Sequence, residues 1–253
     1  MFSVSVVIPC YNSQNTIEKS INSVLNQTLT VNEIIVVDDG SSDNSIEIIK
    51  KIIDANKTNT SIILYSQKNA GPSVARNKGI ELAKSKWIAF LDSDDYWDKN
   101  KNYYQIECLK KEPQVVLLGT GSFKKNSFFR ITFKMLLFKN YFQTSSTIVK
   151  KEILQKYFFN IKQKYSEDFR LWLEISYDHE VGISNQLQAF QVLPLANRNA
   201  SLSSQLYYMQ KGEIGNFRYL YEKKRINFLD FCFACCFSYL KYFKRIIIKF
   251  YKK

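Results

Sequence analysis

An α/β fold built on a mostly parallel, three-layer sheet follows from three observations in the 253 residues. Continuous β-branched apolar runs alternate with stretches of helical periodicity, every run ends in turn-forming residues, and the alternation occurs four times before residue 98. Strands buried on both faces read as unbroken apolar runs, and parallel strands need helical crossovers between them. With 45% hydrophobic and 23% charged residues the chain is globular in composition, which excludes wholesale disorder and collagen-like structure. Its length suits one large domain or two small ones.

The first run, Val4–Ile8, is stopped by Pro9 and predicts a buried strand. Asn12 or Ser13 is then placed to cap a helix whose Ile17, Ile21, Val24 and Leu25 share one face. Glu33–Asp38 predicts a second strand, ended by Asp39-Gly40-Ser41-Ser42. Asp43 or Asn44 caps the next helix, which turns Ile46, Ile49 and Ile53 inward. Ile62–Tyr65 reads as the third strand. Gly71-Pro72 opens a helix with proline in its favoured first turn, with Ala75, Gly79, Leu82 and Ala83 on one side. Trp87–Leu91 is the fourth strand and runs into Asp92-Ser93-Asp94-Asp95.

From about residue 113 the pattern loosens. Val115–Leu118, Thr147–Val149 and Gln188–Leu193 read as strands, Lys150–Tyr157 and Glu167–Tyr177 as helices, with Phe-rich basic sequence between. No internal repeat or linker composition interrupts residues 1–204, which are expected to form one domain, with a first half over 1–98 and a second over 99–204. Residues 205–253 differ. They hold 11 of the 36 Lys and Arg but only 3 of the 23 acids, a net +8 out of the chain's +13, together with 14 of the 38 aromatics. This region is expected to be helical, basic and amphipathic.

The five cysteines, Cys10, Cys108, Cys232, Cys235 and Cys236, are odd in number and unevenly spread, so they suggest a reducing compartment and no disulfide framework. Cys232 and Cys235 have C-x-x-C spacing, but apolar residues surround them, and small core filler explains them better than zinc. Met1 leads directly into the first strand without the pattern of a secretory signal. The longest late apolar stretch, Ile226–Leu240, carries Asp230 and falls short of the roughly 20 residues a spanning helix needs.

Ligands of open α/β sheets bind beyond the carboxyl ends of the strands. Two acidic clusters are predicted there, Asp38-Asp39 and Asp92-Ser93-Asp94-Asp95. Converging carboxylates repel one another unless a cation or a donor-rich ligand lies among them, and Asp-x-Asp offers hard oxygens suited to Mg²⁺ or Mn²⁺. Turn chemistry alone would also select these residues. The G-x-G-x-x-G fingerprint, the G-x-x-x-x-G-K-[ST] phosphate loop and the G-x-S-x-G elbow are all missing. The first strand instead runs into Pro9-Cys10-Tyr11-Asn12, where an aromatic is placed to stack on a base.

The stretches VSVVIPCYNSQNTIEKSINSVLNQT, EIIVVDDGSSDNS, NAGPSVARNKGIELAKSKWIAFLDSDD, SSTIVKK and SEDFRLWLEI resemble glycosyltransferase family 2. The likeness covers most of residues 3–98 and shorter pieces up to about 178. It implies a GT-A fold, a Rossmann-like sheet that binds a nucleoside diphosphate sugar, commonly a UDP-sugar. On that resemblance Pro9, Tyr11 and Asp39 border the base, with Asp39 accepting from the uracil N–H, and Asn69 and Arg76 line the nucleotide. Asp92 contacts the ribose or sugar, and Asp94 holds the Mn²⁺ or Mg²⁺ on the diphosphate. The family inverts the anomeric centre, which requires a carboxylate to deprotonate the acceptor hydroxyl. Asp168 of Ser166-Glu167-Asp168 matches that base, with Glu167 as the fallback and helix capping as the competing role. Arg198, followed by Ser201 and Ser203, resembles a late segment that closes over the diphosphate. His179 follows the Glu167–Tyr177 helix and fits a surface or helix-end role.

Aromatics alternating with bases in residues 218–253 suit a helix lying in an anionic membrane interface. The expected protein is therefore cytoplasmic and peripheral on the inner face of the membrane, acting on a saccharide or lipid-linked saccharide of a bacterial surface glycan. Two other classes compete. A basic nucleic-acid-binding protein would spread its charge along a groove, whereas here the charge is segregated in the tail, so no nucleic acid is expected. A sugar nucleotidyltransferase would need a Gly-rich basic loop after the first strand, where this chain has Pro9-Cys10-Tyr11-Asn12.

Overall fold

The computed structural model describes residues 2–121, 128–184, 188–192 and 205–251. Its first half is an unbroken alternation: β1 (Val4–Cys10), α1 (Ile17–Leu25), β2 (Glu33–Asp38), α2 (Ser45–Ala55), β3 (Ser61–Ser66), α3 (Pro72–Leu82) and β4 (Trp87–Phe90). Then follow β5 (Asp95–Trp97), α4 (Lys101–Lys111), β6 (Leu117–Thr120), β7 (Phe128–Ile131), α5 (Phe133–Phe138), a 3₁₀ turn at Thr144–Ser146, β8 (Ile148–Lys150) and α6 (Lys151–Leu154). Helix α7 (Glu167–Asp178), β9 (Val181–Ser184), β10 (Ala189–Gln191), α8 (Leu206–Glu222) and α9 (Phe228–Tyr251) complete the described elements.

Eight strands form one sheet in the order β3-β2-β1-β4-β8-β6-β9-β7. The first four are parallel, and β8 joins β4 antiparallel. Successive side chains of a strand point to opposite faces. Accordingly Val7, Ile35 and Val37 pack with α3, α5, α7 and α8, while Val6, Ile8, Ile34 and Val36 pack with α1, α2 and α4. Both layers are buried, and each fully buried Val or Ile contributes about 1.5–3 kcal/mol. Gly79 lets α3 lie directly on β1, because a Cβ there would run into the Val7 side chain.

Several local expectations shift. Pro9 does not end β1, which continues to Cys10 opposite Asp38. The pairing with β4 has already stopped at Val7–Phe90, so a residue without an N–H is tolerated on that free side. The cap of α1 is Thr16 rather than Asn12 or Ser13; Ser13 instead offers its carbonyl to the Thr16 and Ile17 N–H groups. Asn44 is the capping residue of α2, while the Asp43 carboxylate accepts from the Ser45 N–H. On α2 the inward residues are Ile49, Ile48, Ile52 and Ile53; Ile46 is only half-buried and lies outside that cluster. The strand expected at Val115–Leu118 pairs as β6 two residues later, and the helix expected over Lys150–Tyr157 is a single turn, α6. The last strand, β10, pairs with β5 in a separate two-stranded ladder.

Helix α8 shares the core of the preceding residues: Phe217 and Leu220 are buried in the cluster that contains Trp172 and Phe169. Helix α9 folds back on α8, with Ser238 hydrogen-bonded to Gln210 at 3.0 Å and Lys241 paired to Glu213 at 2.7 Å. Its outer side is left uncovered. Leu229, Phe233, Leu240, Phe243 and Ile247 are 55–66% exposed and recur at helical spacing.

Candidate active site

The loops at the carboxyl ends of β1, β2 and β4 are tied together by short polar contacts. Asn12, held at a positive φ of 48°, accepts from the Ser42 N–H at 2.9 Å and donates its own N–H to the Ser41 hydroxyl at 3.0 Å. Ser13 donates its N–H to the Ser45 hydroxyl at 2.8 Å, and its own hydroxyl lies 2.7 Å from that of Ser93. Beside this knot Pro9 is the penultimate residue of β1 and Tyr11 is 53% exposed.

Asp39 is buried beneath the same edge. Its Oδ1 accepts from Gln67 Nε2 at 2.8 Å and from the Ala70 N–H at 2.9 Å, and its Oδ2 accepts from the Gly71 N–H at 2.8 Å. The carboxylate thus fixes the turn into α3, including the exposed Asn69. Gly40, at φ 78°, passes so close that a Cβ would lie 2.9 Å from the Asn69 nitrogen.

The first turns of α3 bring Arg76 under the Asp92 turn, where its side chain is 8% exposed. Its Nη2 donates to Asp92 Oδ1 at 2.8 Å and its Nη1 to Glu167 Oε1 at 3.0 Å. Burial opposes the charge, but the two carboxylates outweigh it and raise the guanidinium pKa further. One buried cation therefore joins the two acidic motifs, which are 75 positions apart in the chain. Asp92 is also held by its N–H, which donates to the Ser145 hydroxyl at 3.0 Å. Asp94 is exposed on the same turn, with its carbonyl accepting from the Val192 N–H at 2.8 Å. Asp95 is buried at the start of β5.

Ser166 at φ 57° starts α7 and aims Glu167 and Asp168. Helix α8 holds this turn: Asn216 donates to the Ser166 carbonyl at 2.9 Å, and a Cβ on Gly212 would run into the Tyr165 carbonyl. Asp168 accepts from Thr144 Oγ1 at 3.1 Å and from the Phe169 N–H at 2.6 Å. Burial raises the Asp168 pKa. Glu167 is pushed up to about 7 by burial and by the Asp168 charge, against the pull of Arg76. The two carboxyls titrate as a pair that retains a proton above the usual carboxylate range.

Asp168 also lines a cleft of about 430 Å³ whose far wall is α8 and α9. Another hollow, of about 560 Å³ between α1 and α2, contains none of these strand-end residues. Pro9, Tyr11, Asp39, Asn69, Arg76, Asp92, Asp94 and Asp168 thus border one edge of the sheet, with Arg76 and Asp39 serving its internal scaffold. Arg198, with Ser201 and Ser203, lies outside the described residues. His179 caps the end of α7, its ring edge-on to Tyr157. Burial pushes the Cys10, Cys108 and Cys235 thiols to about 11, so none is a ready thiolate. Thr144, Ser145, Asn216 and Gly212 are supports that sequence spacing does not reveal, because each belongs to an element distant in the chain from what it holds.

The glycosyl transferase family 2 profile matches residues 5–170. An uncharacterized glycosyltransferase of Haemophilus influenzae is 34% identical over 181 residues, 68% of this chain and 70% of that protein. The Escherichia coli UDP-Glc:alpha-D-GlcNAc-diphosphoundecaprenol beta-1,3-glucosyltransferase WfgD is 31% identical over 192 residues, 73% of this chain and 74% of its own. Among solved structures, S. aureus TarS superposes with a TM-score of 0.63 at 20% identity, covering 85% of this chain and 40% of that one. A mannosyltransferase from Pyrobaculum calidifontis, in complex with GDP-Man and Mn²⁺, gives 0.67 at 14% identity over 94% of this chain and 73% of its own. With a sheet of this order, acidic strand ends of this geometry and relatives of this closeness, the chain belongs to glycosyltransferase family 2 and has the GT-A fold.

Proposed function

We propose that this glycosyltransferase moves a sugar from a UDP-sugar to a hydroxyl of a lipid-linked saccharide in a bacterial surface glycan, inverting the anomeric centre. The observation that carries the proposal is the buried Arg76 bridge, which sets the donor-side Asp92 next to the Glu167-Asp168 turn. WfgD, the 31%-identical relative, is named for a UDP-sugar and a diphosphoundecaprenol-linked acceptor, which supports that donor and acceptor class. Residues 1–98 form the nucleotide-binding half, 99–204 the acceptor half and 205–253 an amphipathic basic region.

In this reading Tyr11 stacks on the base over Pro9. Asp39 already accepts three internal hydrogen bonds, so of the roughly four acceptor sites of a carboxylate about one remains for the ring N–H. Asn69 edges the nucleotide, Asp92 meets the ribose or sugar, and Arg198 is assigned to the diphosphate from the sequence pattern. Among the described residues no group of three or more His, Cys, Asp or Glu is assembled to hold a metal. The hard carboxylate oxygens of Asp94 suit Mn²⁺ or Mg²⁺, and this residue would hold the ion. When bound, the ion neutralises charge on the leaving diphosphate. Asp168 takes the proton of the acceptor hydroxyl as its oxygen attacks the anomeric carbon. The bond from that carbon to the diphosphate oxygen breaks, and UDP leaves.

Calorimetry tests the donor side. UDP is expected to bind at least about tenfold more tightly with Mn²⁺ than without, and Asp94→Ala should abolish the difference. Metal-independent UDP binding, or an RNA oligomer binding more tightly than UDP at physiological salt, would overturn it.

The outer stripe of α9 is proposed to lie in the inner face of the cell membrane, flanked by Lys244 and Arg245. No described helix is long and apolar enough to cross a bilayer. Cutting the chain at residue 210 would strip Phe217 and Leu220 from the core, so surface substitutions are the cleaner probe. Combining Phe233→Ser, Leu240→Ser and Phe243→Ser should reduce co-sedimentation with phosphatidylglycerol vesicles by at least about tenfold. Unchanged sedimentation would sink the assignment.

A further inference from the structure

We infer that the cleft between Asp168 and α9 is a phosphate seat for the acceptor, holding a lipid diphosphate between Lys139 and Arg245. This deepens the proposed function and rests on Asp168 being the base. The cleft, about 430 Å³, is within the usual size of small-molecule sites. Its lining includes Asp168 and Phe169 of α7, Glu213 of α8, Lys139 just after α5, and Phe237, Lys241 and Arg245 of α9, with Phe237 against Phe138 of α5.

The three cations are not equivalent. Lys241 is committed internally, to Glu213 at 2.7 Å and to the Phe138 carbonyl at 3.0 Å. Lys139 and Arg245 are exposed and form no ion pair with the described residues. Lys139 lies with its ammonium 4.8 Å from the Tyr141 ring centroid. Two cations that line one cleft and form no ion pair with the described residues suit an anion with several oxygens, which a diphosphate supplies and a neutral sugar does not.

The apolar stripe of α9 supplies a third feature. Phe237, 43% exposed, is edge-on to Phe138 and one turn from Lys241; Phe233, Leu240 and Phe243 are exposed on the same helix, on either side of it along the axis. The cleft thus combines the Asp168 carboxyl with cations, and the helix that supplies Phe237 and Arg245 also carries exposed hydrocarbon. A saccharide joined through a diphosphate to a polyprenyl chain has a hydroxyl, phosphates and hydrocarbon to match all three. A free soluble sugar would use only the first.

Titration of farnesyl diphosphate into the full chain, saturated with UDP and Mn²⁺ so that the donor site is filled, tests the seat. Farnesol and inorganic pyrophosphate are titrated in parallel. Farnesyl diphosphate is expected to bind, and Lys139→Ala and Arg245→Ala each to weaken it about tenfold. Farnesol and pyrophosphate should each bind at least about tenfold more weakly than the intact compound. Equal affinity in both variants, or pyrophosphate matching farnesyl diphosphate, overturns the inference. The UDP titration on the same samples separates the failures. If UDP binds and farnesyl diphosphate does not, the seat falls and the transfer function stands; if UDP itself does not bind, both fall.

Discussion

Asp168→Asn is expected to lower sugar transfer by about 10²–10⁴-fold while UDP affinity stays within about twofold. Asparagine preserves the shape of the side chain and can still meet Thr144, but it cannot take a proton at neutral pH. The pH profile adds a second signature. Burial holds the Asp168 carboxyl above its ordinary value, and Glu167 beside it is pushed to about 7. The base works only when ionised, so activity should fall as pH drops through a limb that lies above the ordinary carboxylate range. Single-turnover rates between pH 5 and 9 would show that limb in the wild type. Should Asp168→Asn retain activity and Glu167→Gln lose it, the roles of the two carboxyls are exchanged.

Arg76→Met should destabilise the protein by about 3–5 kcal/mol near pH 8, the usual loss when one partner of a buried ion pair is removed. Met keeps most of the volume over Phe159 but leaves Glu167 without its cation. The loss depends on pH in a definite direction. The folded-state pKa of Glu167 is raised from 4.5 to about 7, so its protonated form is the one folding favours. Its contribution is complete below about 4.5 and is lost as pH rises through about 7. Without Arg76 the ionised carboxyl is costlier still, so urea melts should show a larger deficit at pH 8 than at pH 5. An equal, small deficit at both would mean that the bridge does not hold the two motifs together.

Much of this was legible in the chain. The alternation up to β4 was readable because strands buried on both faces leave continuous apolar runs, and their acidic ends were adjacent in sequence to what they terminate. The later elements were harder. Helix α4 escaped because much of its inner face is polar: Lys101, 3.6 Å from the Trp97 ring centroid, donates to Gln105, and Gln105 donates to the Ser146 carbonyl at 2.8 Å. Only Ile106 and Leu109 are apolar among its five buried residues, too few to read as a stripe. Strands β5 and β7 are three and four residues long, too short for period-two alternation to register.

The candidate site divides along the same line. Asp39, Asp92, Asp94 and Asp168 are candidates that local motifs and the family resemblance name. That Arg76 is buried as a strut between Asp92 and Glu167, and that Asp39 spends most of its capacity on Gln67, Ala70 and Gly71, came only from the fold.

By itself the sequence determined the first four strands of the sheet, their acidic ends, and a basic, aromatic C-terminal region. Only the tertiary structure decided which side of that region is core and which is free. Phe217 and Leu220 are buried against Trp172, while Phe233 and Leu240 are left outside. The reason is physical: periodicity reports that a helix has an apolar face, but α9 carries apolar residues nearly all round. Which of them escape burial depends on the partner surface, and that surface comes from α5 and α8, assembled from other parts of the chain.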